Sequence, residues 1–326
     1  MIGCHALFYV FASVVRSNKL WFSWQLIDTA SIPQISSIPA LLAYAAHLVA
    51  AHLDTCAPLG ELAKYFLRAL ARQDMIFGLT YRRRNLIPTA LWLDGKCFED
   101  VDRFLGLTMS LMPLLEELRG LAEDIKKKQQ LLQDTQSHRE LCDNPLLHHN
   151  DNKHGLILAS TVSALQGCDE RVRDLQHRLT MWRPSINNGV SSFLEKRKYL
   201  LQAQAFRSAA LLYLHRLCYP TGLSSEADGM ALNMAYDILL SCHEDDADVR
   251  MILWPLFVSG CEVRSDSDRQ LVLKLLDRNH RARGTYTPLK ATRFLVECLW
   301  PAVDSGNMHC NWMELVEDFP GDFAPL

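Results

Sequence analysis

An all-α fold is what this sequence predicts, and three observations lead there. Apolar residues recur at spacings of three and four over several long segments, which is the period of one helix face. No run alternates β-branched with polar residues between turn pairs, so strand signals are nearly absent. Of 326 residues, 49% are hydrophobic and 22% charged, which supplies a sizeable core and excludes wholesale disorder. The expected architecture is a single multi-helix domain over 1–326, of about ten helices, with one long antiparallel helical hairpin.

The elements follow in order. Ile2 to Val15 is the longest apolar run, interrupted by His5 and Ser13. It is shorter than the ~20 residues of a membrane span. With no basic residue before it and no small-residue cleavage site, it reads as a packed first helix. Ile38 to Leu53 and Leu59 to Phe77 come next. Phe104, Leu105, Thr108, Leu111, Met112, Leu115, Leu118, Ala122 and Ile125 form one stripe; Leu158, Val162, Leu165, Val172, Leu175, Leu179 and Trp182 form another. These are the arms of the hairpin, and polar Gln133 to Gly155, carrying Asp143-Asn144-Pro145, reads as a mobile loop between them.

Ser191 to Leu217 begins at a serine cap, becomes apolar nearly all round by Ala209 to Leu214, and is stopped by Pro220 and Gly222. Glu226 to Ser241 is a further helix. In Ala247 to Val263, the positions Val249, Ile252, Leu253, Leu256, Phe257, Gly260 and Cys261 make an unbroken stripe, with a kink expected at Pro255. Asp268 to Arg281 and Pro288 to Val303 complete the set, the last opened by its proline. No repeat of fixed length appears, which disfavours a solenoid.

Chemistry-bearing motifs are mostly missing. There is no GxGxxG, phosphate loop, GxSxG or HExxH. The ten cysteines are never closer than twelve residues, so no CxxC exists, and they read as small buried hydrophobes in a reducing compartment. Glu244-Asp245-Asp246-Ala247-Asp248 misses DDxxD and suits a helix start. His148, His149 and His154 sit in the loop without fixed partners, and His47 and His52 do not share a helix face. Neither a metal nor a cofactor is expected. Arg82-Arg83-Arg84 reads as a surface turn and Lys126-Lys127-Lys128 as a solvated helix face. Formal net charge of −3 leaves little counterion-release energy, so direct nucleic-acid binding is not expected.

Several segments are more specific in wording. They are LAKYFLRALARQDMIFGLT at 62–80, FLGLTMSLMPLLEELRGLA at 104–122, RSAALLYLHRL at 207–217, WPLFVSGCE at 254–262, LWPAVD at 299–304 and then Asn311-Trp312. In this order the chain resembles the C-terminal regulatory domain of fungal zinc-cluster transcription factors, over roughly residues 20 to 315. The resemblance implies an α-helical effector domain that follows and regulates a separate DNA-binding zinc cluster. The six closely spaced cysteines of that cluster are not in this sequence, so the family's means of reading DNA is not expected here.

Two functions follow as expectations. One is a metal-free, cofactor-free cyclase or isomerase in fungal secondary metabolism, of the pericyclase type, folding a terpenoid or polyketide in an apolar cavity. The alternative is a regulator or co-regulator of a gene cluster acting through a partner, or a truncated zinc-cluster factor. Expected partners are a hydrophobic small molecule and a second copy or partner regulator, inside the cell, in cytoplasm or nucleus. Tyr213 and His215 are the candidate catalytic residues, donating to a substrate carbonyl. Arg207, Trp254, Phe257, Tyr44 and His47 are the candidate pocket residues. The structural reading beside it gives Arg207 an internal ion pair, Tyr213 a rim hydroxyl, and Trp254, Phe257, Cys261, Trp300 and Trp312 places in the core.

Overall fold

A computed structural model describes residues 38–53, 61–93, 101–102, 104–143, 168–185, 192–243, 252–283, 287–306, 310–319 and 325. Among these the regular structure is helical, and the single β-bridge joins Asp102 to Gly106. The helices are α1 (Ile38–Leu53), α2 (Glu61–Tyr81), α3 (Met112–Asp143), α4 (Asp169–Met181), α5 (Phe193–Cys218), α6 (Ser225–His243), α7 (Leu253–Gly260), α8 (Asp266–Arg283), α9 (Thr287–Arg293), α10 (Trp300–Asp304) and α11 (Trp312–Asp318).

The all-α expectation holds. Helix α5 is central, packing on α3, α4, α6 and α7, because its second half is apolar on nearly every side. The hairpin is present: Arg171 pairs with Asp124 at 3.1 Å, and Arg178 with Glu117 at 2.6 Å. Trp182 Nε1 donates to Ser110 Oγ at 3.1 Å. Residue numbers rise on one arm as they fall on the other, so α3 and α4 are antiparallel.

Four expectations need correction. Residues 133–143 are not loop: α3 continues to Asp143, and the remainder of the expected loop, with Leu158 to Leu165 of the second stripe, lies outside the described residues. The stripe from Ala247 does not make one helix either. Helix α7 begins only at Leu253, so Pro255 stands in the first turn, where no intrahelical acceptor awaits its missing N–H and no kink is needed. The start of that segment, like Ile2 to Val15, lies outside the described residues. At the head of α5 the cap residue is Ser192, whose side chain makes no capping bond. Arg82 is buried, and only Arg83 and Arg84 of that turn are exposed.

Arg82 ends α2 at φ 53°, a left-handed position that usually falls to glycine. Its guanidinium holds it there, with Nε and Nη2 on Glu317 Oε1 at 3.2 and 3.0 Å and Nη1 on Gln129 at 3.4 Å. Lys126 reaches the same Glu317 at 2.7 Å, so the lysine run is only partly solvated. From Pro288 the chain stays helical to Asp304 but passes through a π-helical turn at Phe294–Leu299, where Trp300 N bonds Leu295 O. Pro301 lacks an N–H and crowds the carbonyl a turn earlier; the widened turn before it relieves that clash.

Candidate functional site

Helix α5 carries three of the sequence-selected residues, and the fold sends them in different directions. Tyr213 is wholly buried, and its hydroxyl donates to Leu79 O at 2.7 Å. Leu79 is in the last turn of α2, whose carbonyls have no helical partner. Burial pushes the phenol well above its ordinary pKa. Arg207 does the same service for α4: its Nε donates to Leu179 O at 2.9 Å and its Nη2 to Thr180 O. The expected ion pair is thus replaced by helix-end carbonyls, which carry the negative end of the α4 dipole. The rim position expected for Tyr213 is replaced by a core one.

Trp254 and Phe257 lie in the core, as the structural reading had it. Around Tyr213 stand Trp254 and Trp312, with ring centroids at 6.4 and 6.0 Å. Phe257 meets Trp312 edge-on at 5.5 Å and Phe294 at 5.6 Å. Trp300 Nε1 donates to Gly260 O at 3.1 Å, so another helix end is closed by a side chain. Cys261 is buried beside them.

His215 faces the other way. Its Nε2 contacts Ala227 O at 2.9 Å, which fixes the tautomer with the proton on Nε2. Burial holds its pKa below the ordinary histidine value. The ring lies 5.0 Å from that of Tyr219, tilted by 37°, and borders a half-open groove of about 700 Å³ between α4, α5 and α6. Val172, Leu211, Leu214, Leu223 and Met234 make it largely apolar, and Arg173 and Gln176 give it a polar edge. Cys218 also lines it, with burial pushing its thiol up to about 12, so it is a poor nucleophile. Tyr44 is half-buried and His47 exposed on α1, which packs on α2; neither lines this groove.

Two buried charge networks have almost no signal in the sequence. Arg119 lies under α2 with Nη1 3.5 Å from Asp74 Oδ2 and Nε on Arg83 O at 3.0 Å. Asp74 Oδ2 also accepts from the Leu86 and Ile87 amides. Burial moves both groups towards their neutral forms, Asp74 up and Arg119 down. Gly78 makes room, since a Cβ there would lie 1.9 Å from Arg119 Nη2. Elsewhere, Arg216 forks onto Glu262 at 3.0 and 2.6 Å and onto Asp228 at 2.6 Å. The one hint was Glu262 ending the otherwise apolar WPLFVSGCE.

Among the described residues no group of three or more His, Cys, Asp or Glu is placed to hold a metal ion. The acidic run 244–248 and His148, His149 and His154 lie outside them. No helix among them is long and apolar enough to cross a membrane.

Comparison with known proteins gives one finding. The family described as the fungal specific transcription factor domain matches residues 41–322, which takes in nearly every described helix. No curated protein and no solved structure matches the chain.

Proposed function

The chain belongs to the family of the fungal specific transcription factor domain, and on that premise we propose that it is a helical regulatory domain acting on transcription in the nucleus. The family match over 41–322 carries this reading. The groove between α4, α5 and α6 is the surface on which a hydrophobic effector acts; about 700 Å³ is ample for a small molecule, and its walls are aliphatic. Through α5 the groove touches the helix that packs on α3, α4, α6 and α7, which gives occupancy there a route to the packed interior. A partner regulator or second copy completes the unit that reads DNA.

A cyclase or isomerase asks Tyr213 or His215 to polarise a substrate carbonyl. Tyr213 has given its hydroxyl to Leu79, and His215 Nε2 is engaged by Ala227, so regulation is the reading the geometry supports better. Deletion in the native host decides between them. Regulation predicts a coordinated change in a set of transcripts. Accumulation of a single intermediate with transcripts unchanged would overturn it in favour of catalysis.

A further inference from the structure

We propose that a second cavity, between the turn after α5, α6, the turn after α7, and α10, binds a short aliphatic monocarboxylate through Arg264. The cavity holds about 370 Å³, the small end of the range for small-molecule sites. Leu232 and Val303 supply its apolar wall, and Thr221 a hydroxyl.

Its charged residues are unequal. Glu262 has both oxygens on Arg216; Asp228 gives Oδ1 to Arg216 and accepts the Gly222 amide on Oδ2 at 3.1 Å. Both carboxylates are therefore occupied. Arg264 makes no hydrogen bond or ion pair among the described residues, and its Nη1 is buried without an acceptor. Arg68, Arg269 and Arg278 also carry one unsatisfied nitrogen, but each has an acid or carbonyl partner. A buried donor on a charged group is costly to leave unpaired. A carboxylate is the acceptor whose geometry the planar fork matches. The side chain is only half-buried, so its fork has freedom to turn onto an entering ligand.

The local charge selects the class. Around the cavity three guanidinium groups, Arg216, Arg264 and Arg269, stand against three carboxylates, Glu262, Asp228 and Asp304, the last held below its usual range by Arg269 and Arg264, so the empty surroundings are neutral. A monocarboxylate leaves one uncompensated negative charge and a phosphate dianion two, next to Glu262 and Asp228, which favours the monoanion. The aliphatic wall then selects for a short hydrocarbon tail.

Gly229 supplies the means of testing this. It borders the cavity on α6, is exposed, and a Cβ there meets nothing within 4 Å, so a larger side chain narrows the cavity mouth without displacing protein. Calorimetric titration of the purified chain with sodium hexanoate and sodium butyrate should show saturable binding. Methyl hexanoate and inorganic phosphate should bind at least tenfold more weakly, about 1.4 kcal/mol. Arg264→Met should weaken hexanoate at least tenfold, Gly229→Leu should abolish binding, and Gly229→Ala should retain it. The proposal fails if neither acid binds saturably, if phosphate binds as well as the acids, or if folded Arg264→Met binds as wild type. If Arg264→Met does not fold, Gly229→Leu decides, and unchanged binding there overturns the assignment. This readout is binding alone and does not depend on the regulatory reading or on the larger groove.

Discussion

The two sides of α5 have opposite characters. Towards α2, α7 and α11 it presents Tyr213 to Trp254, Trp312 and the Arg119–Asp74 pair, all sealed from solvent. Towards α4 and α6 it presents Leu211, His215 and Cys218 to a half-open groove. Tyr213 and His215 are two residues apart and both are polar groups in an apolar stretch. Their surroundings, not their chemistry, separate a structural hydrogen bond from a surface able to meet a ligand. A hydroxyl or guanidinium inside a helical bundle finds ready acceptors in the last carbonyls of neighbouring helices. Tyr213 and Trp300 each take one, and Arg207 takes two.

The sealed side should break hardest. Asp74→Ala strands Arg119 without its acid and should cost about 3–5 kcal/mol in urea denaturation; a cost below ~1 kcal/mol would mean that the pair is not buried as described. Phe257→Ala opens the aromatic cluster between Trp312 and Phe294 and should cost a similar ~3–5 kcal/mol. Its thermal unfolding should fall by many degrees or the protein should be recovered insoluble. Tyr213→Phe keeps the ring and loses one hydrogen bond, so a loss of about 1 kcal/mol is expected.

The groove side should respond to pH more than to truncation. Burial holds His215 below the histidine value of about 6.5 found in unfolded chains. The unfolded state therefore takes up the proton first, and stability is fully present above that value and declines as pH falls below it. Thermal unfolding at pH 5.5 against 7.5 should show the decline, and His215→Gln, which keeps a donor for Ala227, should reduce it. An equal decline in both proteins would assign the effect elsewhere.

Much of the fold was legible in the sequence, because its signals are local. Ile38–Leu53 has the bounds its periodicity gives, and Pro220 and Gly222 do follow the end of α5. Failures came where local pattern and tertiary structure part. A 3.6-residue stripe does not say where hydrogen bonding starts, so Val249 to Cys261 read as one helix although α7 starts at Leu253. Arg82 looked like surface because its partner Glu317 is 235 residues away. Gly78, in the last turn of α2, carries no signal in the sequence, and only Arg119 lying against it explains the missing side chain. The caps were invisible for another reason: their acceptors are backbone carbonyls, which leave no mark in sequence. Thus α5 was identified as the important helix, while which of its faces was open could not be read.

That difference between faces is the central claim, and one paired experiment tests it. The chain is fused to a heterologous DNA-binding domain, and reporter output is measured beside the melting temperature for Tyr213→Phe and for Met234→Trp, which fills the groove from α6. The account predicts a lower melting temperature with retained output for Tyr213→Phe, and near-native melting with altered output for Met234→Trp. Lost output at wild-type melting temperature for Tyr213→Phe, with Met234→Trp behaving as wild type, would contradict it.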